Sequence, residues 1–317
     1  MISSIRRRFG PEVVAIVLLI IAFVVSAILE PRFLDAEYLF DRSTLYMEAG
    51  ILALSMSFII IAGHIDLSVT SILALVGACA TTAVSKYGAP PIAILFMAPI
   101  IGGMLGWING ILVAKMKLPS LVVTLATMAL FRGSAQILVG DHSLPMPVGL
   151  VGIHKVQLPG TYFHMPLLML GLLAVFAAFM LHKTVWGRWV TAIGVNVEAA
   201  RHAGIPTKTT LIQIFVLSGV AAGCASLLML SRLGVARFDH ARGLELDVIT
   251  AVVLGGASIF GGRGTIFGTM SALTLVGVVQ TGMGVAGVKT EVQVAAIGAL
   301  LIVAVLFSNF AQSRRTR

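Results

Sequence analysis

The sequence predicts an all-α, polytopic membrane protein of about ten transmembrane helices, some of them short or broken, with one short helix outside the bilayer. Three observations carry that prediction. Of 317 residues, 58% are hydrophobic and only 11% charged, which excludes a water-soluble globular chain. The apolar residues gather in runs of about 20, the length that crosses hydrocarbon, and the chain has room for roughly eight to ten of them. Between the runs lies only short polar punctuation, so no sizeable soluble domain fits beside the spans.

The runs fall near 13–29, 47–63, 69–85, 91–114, 119–139, 165–182, 209–231, 246–260, 265–282 and 291–308. The first follows Arg6, Arg7 and Arg8 and resembles a signal peptide. It is long, however, and reaches Glu30 without a small-residue cleavage site, so it reads as a retained span. Only Gly63, His64, Ile65 and Asp66 separate the second run from the third, and the eighth ends in the glycine-rich stretch Gly255 to Gly268. Broken or re-entrant helices are expected at both places. Cys79 and Cys224 sit inside apolar runs without CxxC or Cys/His spacing, so they read as packing residues, with no disulfide or zinc site.

The net charge of +9 would suggest nucleic acid in a soluble protein; in this composition it orients the spans, and no nucleic-acid partner is expected. With the N-terminus in the cytoplasm, thirteen basic residues fall inside: Arg6, Arg7, Arg8, Lys115, Lys117, Lys183, Arg188, Arg201, Lys208, Arg263, Arg314, Arg315 and Arg317. Eight fall outside (Arg32, Arg42, Lys86, Lys155, Arg232, Arg237, Arg242, Lys289), and Arg132 lies within a span. The bias places both termini in the cytoplasm and requires an even number of spans.

A chain with almost no extramembrane mass is a transporter, a channel or an intramembrane enzyme, and the residues that would power or catalyse a reaction are missing. There is no GxxxxGK[ST] loop to cradle phosphates and no HExxH pair for zinc. Gly261-Gly262-Arg263-Gly264-Thr265-Ile266-Phe267-Gly268 imitates a dinucleotide fingerprint, but its third glycine falls one position late and no Rossmann strand precedes it. Close helix packing, or a turn through small residues, is expected instead. The chain is read as no enzyme, with no cofactor and no metal of its own; any ATP is bound by separate subunits.

The loop at about 183–208 is the longest inside the cell and carries its own helix. Asn196 is a plausible N-cap, Glu198 sits in the first turn where a carboxylate suits the helix dipole, and Gly204 followed by Pro206 stops it. Such a helix either rests on the lipid interface, with Arg201 and Lys208 near headgroups, or docks on a partner.

These residues carry a resemblance. Glu198-Ala199-Ala200-x-x-x-Gly204 is similar to the EAA-type coupling motif of ABC importer permeases, and the Arg188 to Pro206 region resembles the ribose-type branch, which includes rhamnose and autoinducer permeases. Gly63-His64-Ile65-Asp66-Leu67-Ser68-Val69 is close to that branch's GGIDLSVGS segment, with His64 in place of a glycine. The segment from Ile249 to Gly264 is close to its VLGGTS-x-x-GG-x-G segment, and the early loop Glu30 to Leu34 also fits.

The resemblance implies a single transmembrane permease domain over residues 1–317, a multi-pass protein of the bacterial inner membrane. Its role would be to translocate a sugar or sugar-like solute delivered by a periplasmic binding protein. Its partners would be ABC ATPase subunits, a periplasmic sugar-binding protein and a second permease, either an identical chain or a sister subunit. Glu198, Ala199, Ala200, Arg201 and Gly204 would then couple to the ATPase.

The loops near 30–46, 140–164 and 232–245 would face the periplasm. Arg232, Arg237 and Arg242 alternate there with Asp239, Glu245 and Asp247, so they either grip carboxylates of the binding protein or form ion pairs within a solvated loop. Asp66 and Arg132 are the structural or pathway candidates. Asp66 reads as an N-cap carboxylate or a proton or cation relay, and Arg132 as a residue that snorkels to the interface or lines the path. A relay through Asp66, Glu245 and Asp247 is the alternative, an ion-coupled secondary carrier or channel.

Overall fold

A computed structural model of the chain describes residues 11–289 and 291–299. Helix α1 (Pro11–Leu29) leads through the 3-10 turn Pro31–Leu34 into α2 (Ala36–Ser43), which Asp35 caps by accepting the Glu37 and Tyr38 amides. Then come α3 (Met47–Ile61), α4 (Val69–Tyr87), α5 (Ala93–Ala114) and α6 (Ser120–Val139). Beyond a loop lie α7 (Met165–Lys183), α8 (Val185–Val195), α9 (Val197–His202) and α10 (Thr207–Leu233). The described part closes with α11 (Leu244–Leu254), α12 (Ile266–Val285) and a helical segment at 291–299.

Among the described residues, seven stretches are long and apolar enough to cross a membrane: Ala36–Ile61, α4, α5, α6, α7, α10 and α12. The other three expected runs are also helical. The first is α1. The last begins at 291, and its continuation to 308 lies outside the described residues, as do the basic residues at both termini. The eighth is α11, and it is shorter than the sequence predicts. Eleven residues rise about 16 Å, roughly half the hydrocarbon thickness. The helix stops at Gly255 because the chain turns: Gly256 has φ +94°, and the Ser258 amide donates to the Arg263 carbonyl at 2.9 Å. The glycine-rich stretch is therefore a turn through small residues, closed by Thr265, whose hydroxyl accepts the Gly268 amide and caps α12. The break between α3 and α4 forms in the same way, with Gly63 at φ +81°. His64 is outside the left-handed region, so the histidine is compatible with this backbone.

The core gathers around α3, buried along nearly its whole length, and around the crossing of α5 with α10. Gly102 and Gly106, one turn apart on α5, meet Phe215, Gly219 and Gly223 on α10 so closely that a Cβ at any of these glycines would overlap a carbonyl of the facing helix. Small residues at that spacing let two backbones touch, which replaces the hydrophobic drive that lipid cannot supply.

The two ends of this bundle differ. Helix α9 leaves from the N-terminal end of α10, whereas the loops at 30–46, 140–164 and 232–245 meet at the other. There Leu144 pairs with Ala236 in a two-residue ladder, Lys155 reaches Asp41 at 3.2 Å, and the Phe40 and Phe163 rings pack edge to face.

Candidate functional site

Helix α9 is a short, fully capped element that touches the core through Ala200 and is otherwise exposed. The Asn196 side chain accepts the Ala199 amide at 3.0 Å, and Glu198 in the first turn pairs with Arg201 at 2.6 Å. At the far end the Ile205 amide donates to the Ala200 carbonyl and the Gly204 amide to Arg201, the double closure that needs a left-handed residue; Gly204 supplies it with φ +79°. Ala200 is buried, while Glu198, Ala199, Arg201, His202 and Gly204 face outward. Helix α8, directly before it, escapes the sequence reading. Thr184 caps it through the Gly187 amide at 3.1 Å, and the Trp186 indole donates to Gln213 on α10. Its signal is the threonine three residues ahead of that glycine, but the loop as a whole reads as one polar connection.

The three motif segments converge. The Gly262 amide, in the turn after α11, donates to the Ile61 carbonyl at the end of α3 at 2.8 Å, and Gly194 of α8 lies against both. From that junction the chain runs to Asp66, which is fully buried. One of its carboxylate oxygens accepts the Ser68 amide at 3.0 Å and the Ser68 hydroxyl at 2.6 Å, while the other accepts the Ser218 hydroxyl of α10 at 2.9 Å. Asn109 of α5 extends the network, donating to the Ser68 oxygen at 2.8 Å. Asp66 thus bridges the start of α4 to α10. Ser68, rather than Asp66, occupies the N-cap position of α4.

At the opposite end the three loop arginines separate. Arg232 is committed inward: its Nε donates to Glu48 at 2.9 Å, and the Glu48 side chain is only 2% exposed. Arg237 forms a two-point fork with Asp239, both bonds 2.8 Å, which holds that carboxyl near pKa 2. Because the folded value lies below the ordinary carboxylate value, the pair is intact above pH 4 or so and is lost as pH falls through about 2. Arg242 is exposed, with no hydrogen-bond or ion-pair partner among the described residues.

Arg132 faces the protein and does not snorkel. One terminal nitrogen donates to the carbonyls of Phe238 and His240 at 2.9 and 2.7 Å; the other reaches the Thr70 hydroxyl at 3.3 Å. Thr70 in turn donates to Glu245 at 2.8 Å, and Glu245 also accepts the Gly243 amide. One guanidinium so ties α6, α4 and the loop ahead of α11. Ala241, next to one of the gripped carbonyls, is held at φ +56°, a conformation alanine adopts only where its surroundings impose it.

The family described as branched-chain amino acid transport system / permease component matches residues 38–305. The chain is 36% identical over 310 residues to the autoinducer 2 import system permease protein LsrD of Photorhabdus laumondii, covering 96% of this chain and 92% of that one. It is 37% identical over 310 residues to the protein of the same description from Escherichia coli strain K12, covering 95% and 92%. No solved structure matches.

Proposed function

We propose, because this chain belongs to the branched-chain amino acid transport system / permease component family, that it is the membrane half of an ABC importer for a sugar or sugar-like solute. It works in the bacterial inner membrane, with both termini cytoplasmic, beside two ATPase subunits, a periplasmic binding protein and a second permease. The relatives named for autoinducer 2 import favour a small polar solute of that kind.

One observation carries the reading: α9 is closed at both ends and paired within itself, and only Ala200 anchors it to the core while its other five residues are exposed. A helix so finished and so exposed is a handle for another molecule. When ATPase subunits close on nucleotide, a capped helix seated in them moves as a stiff unit and drives a rigid-body shift of the spans, alternating access to a central path. The permease supplies no chemistry of its own in this scheme.

Replacing Glu198 with lysine and Gly204 with valine is expected to abolish co-purification of the ATPase and stimulation of its hydrolysis. Glu198→Lys alone should leave the unfolding free energy of the detergent-solubilised chain within about 1 kcal/mol, since that side chain is exposed, whereas Gly204→Val forces a β-branched residue into left-handed backbone and should cost about 1–3 kcal/mol. Solute uptake driven by an ion gradient in liposomes without any ATPase would overturn the reading and return the ion-coupled carrier.

At the other end Arg242 and the Arg237–Asp239 fork remain as contacts for the binding protein; Arg232 is engaged with Glu48. Charge reversal at Arg237 is expected to weaken stimulation of ATP hydrolysis by the loaded binding protein. Full stimulation with Arg237 and Arg242 both replaced by alanine would reject docking at this loop.

A further inference from the structure

Helix α9 is joined to the rest of the chain by two very different links. Toward α10 the link is Gly204, Ile205 and Pro206, with open space around Gly204. Toward α8 the link is Asn196 and the last turn containing Gly194, and there the packing is backbone on backbone. A Cβ at Gly194 would overlap the Ile61 carbonyl and stand 2.5 Å from the Gly262 amide nitrogen. The fit is reciprocal, since a Cβ at Gly261 would stand 2.9 Å from both the Gly194 and the Gly63 Cα atoms. Three chain segments, the end of α8, the end of α3 and the turn after α11, therefore touch with no side chain between them.

That difference has a mechanical meaning. Side chains take up a small displacement by changing rotamer, whereas main chain resting on main chain has no such slack. Two of the three segments lead directly to a break in a spanning helix, and the third, the end of α8, leads to α9. From Gly63 the chain continues to Asp66 and the start of α4; from Gly262 it continues to Thr265 and the cap of α12.

We infer that Gly194 is the positioning residue through which movement of α9 reaches both helix breaks, so that α9, the end of α3 and the 255–264 turn move as one body against the pair α5 and α10. The inference rests on the reading of α9 as the ATPase-docking element.

The test uses the assembled importer, with its ATPase and binding protein, in liposomes. Gly194→Ala should retain the ATPase on purification and keep its hydrolysis, while solute uptake falls about tenfold or more, the size of an ordinary coupling between sites. Uptake equal to the parent chain would overturn the inference. Because this variant tests folding as well, spin-label distances supply a second measurement that leaves Gly194 in place. Cys79 and Cys224 are replaced by serine, and labels are set at Val197 with Arg263, and at Val197 with Met116, all outward-facing. On adding a non-hydrolysable ATP analogue, the Val197–Arg263 distance should hold within about 2 Å while Val197–Met116 changes by more. A change in both pairs overturns the inference alone. No change in either, with uptake intact, overturns the docking of α9 and the inference with it.

Discussion

Arg232→Ala is expected to lower the unfolding free energy of the detergent-solubilised chain by about 3–5 kcal/mol, the cost of orphaning one member of a buried ion pair. Glu48 sits at the start of α3 with its side chain 2% exposed, and the Arg232 Nε–Oε1 bond of 2.9 Å is its link to a cation. Its second carboxylate oxygen has no hydrogen-bond partner among the described residues, so nothing nearby is placed to compensate. Glu48→Gln removes the charge while keeping the shape, and should cost less. Joining it to Arg232→Gln should recover most of the loss, because two neutral groups need no counter-charge. A double-mutant cycle on thermal unfolding measures the coupling. If Arg232→Ala costs less than about 1 kcal/mol, the pair behaves as a solvated surface bridge and the argument from burial fails.

Gly219→Ala should destabilise the chain by about 1–3 kcal/mol, although alanine is the better helix former. The added Cβ meets the Gly102 carbonyl of the facing helix, and a carbonyl held in a helix ladder cannot step aside. Gly133 on α6 is the matched comparison: a methyl group added there would face outward and meet nothing within 4 Å. Gly133→Ala should therefore be neutral or stabilising by up to about 1 kcal/mol. Thermal unfolding of the two variants side by side checks the sign. Equal effects at both positions would mean that the α5–α10 crossing does not depend on backbone contact.

Features set by local rules are legible in the sequence. Bilayer thickness dictates run length, so each expected run overlaps a helix, the eighth only as far as Leu254. The caps of α9 involve residues three to five apart, which is why Asn196 and Gly204 can be placed without coordinates. What escapes depends on long-range pairing. Glu48 lies 184 residues from Arg232, Asp66 lies 152 from Ser218, and Arg132 lies 106 from the Phe238 carbonyl. A single sequence carries no mark of these partners, and an arginine in a span looks the same whether it turns toward headgroups or toward two carbonyls. The existence of a break after α11 is legible but its position is not, since apolar residues continue to Phe260 after the helix has stopped.

The grip of Arg132 separates shape from contact. The loop carrying Arg237 and Arg242 takes its form from a guanidinium on a neighbouring helix that holds the carbonyls of Phe238 and His240. Main-chain acceptors are present whatever side chains occupy those positions. The loop is thus free to vary its side chains while its backbone path stays the same, so lineages carrying this chain have a route to recognising new partners without rebuilding the scaffold that presents the loop.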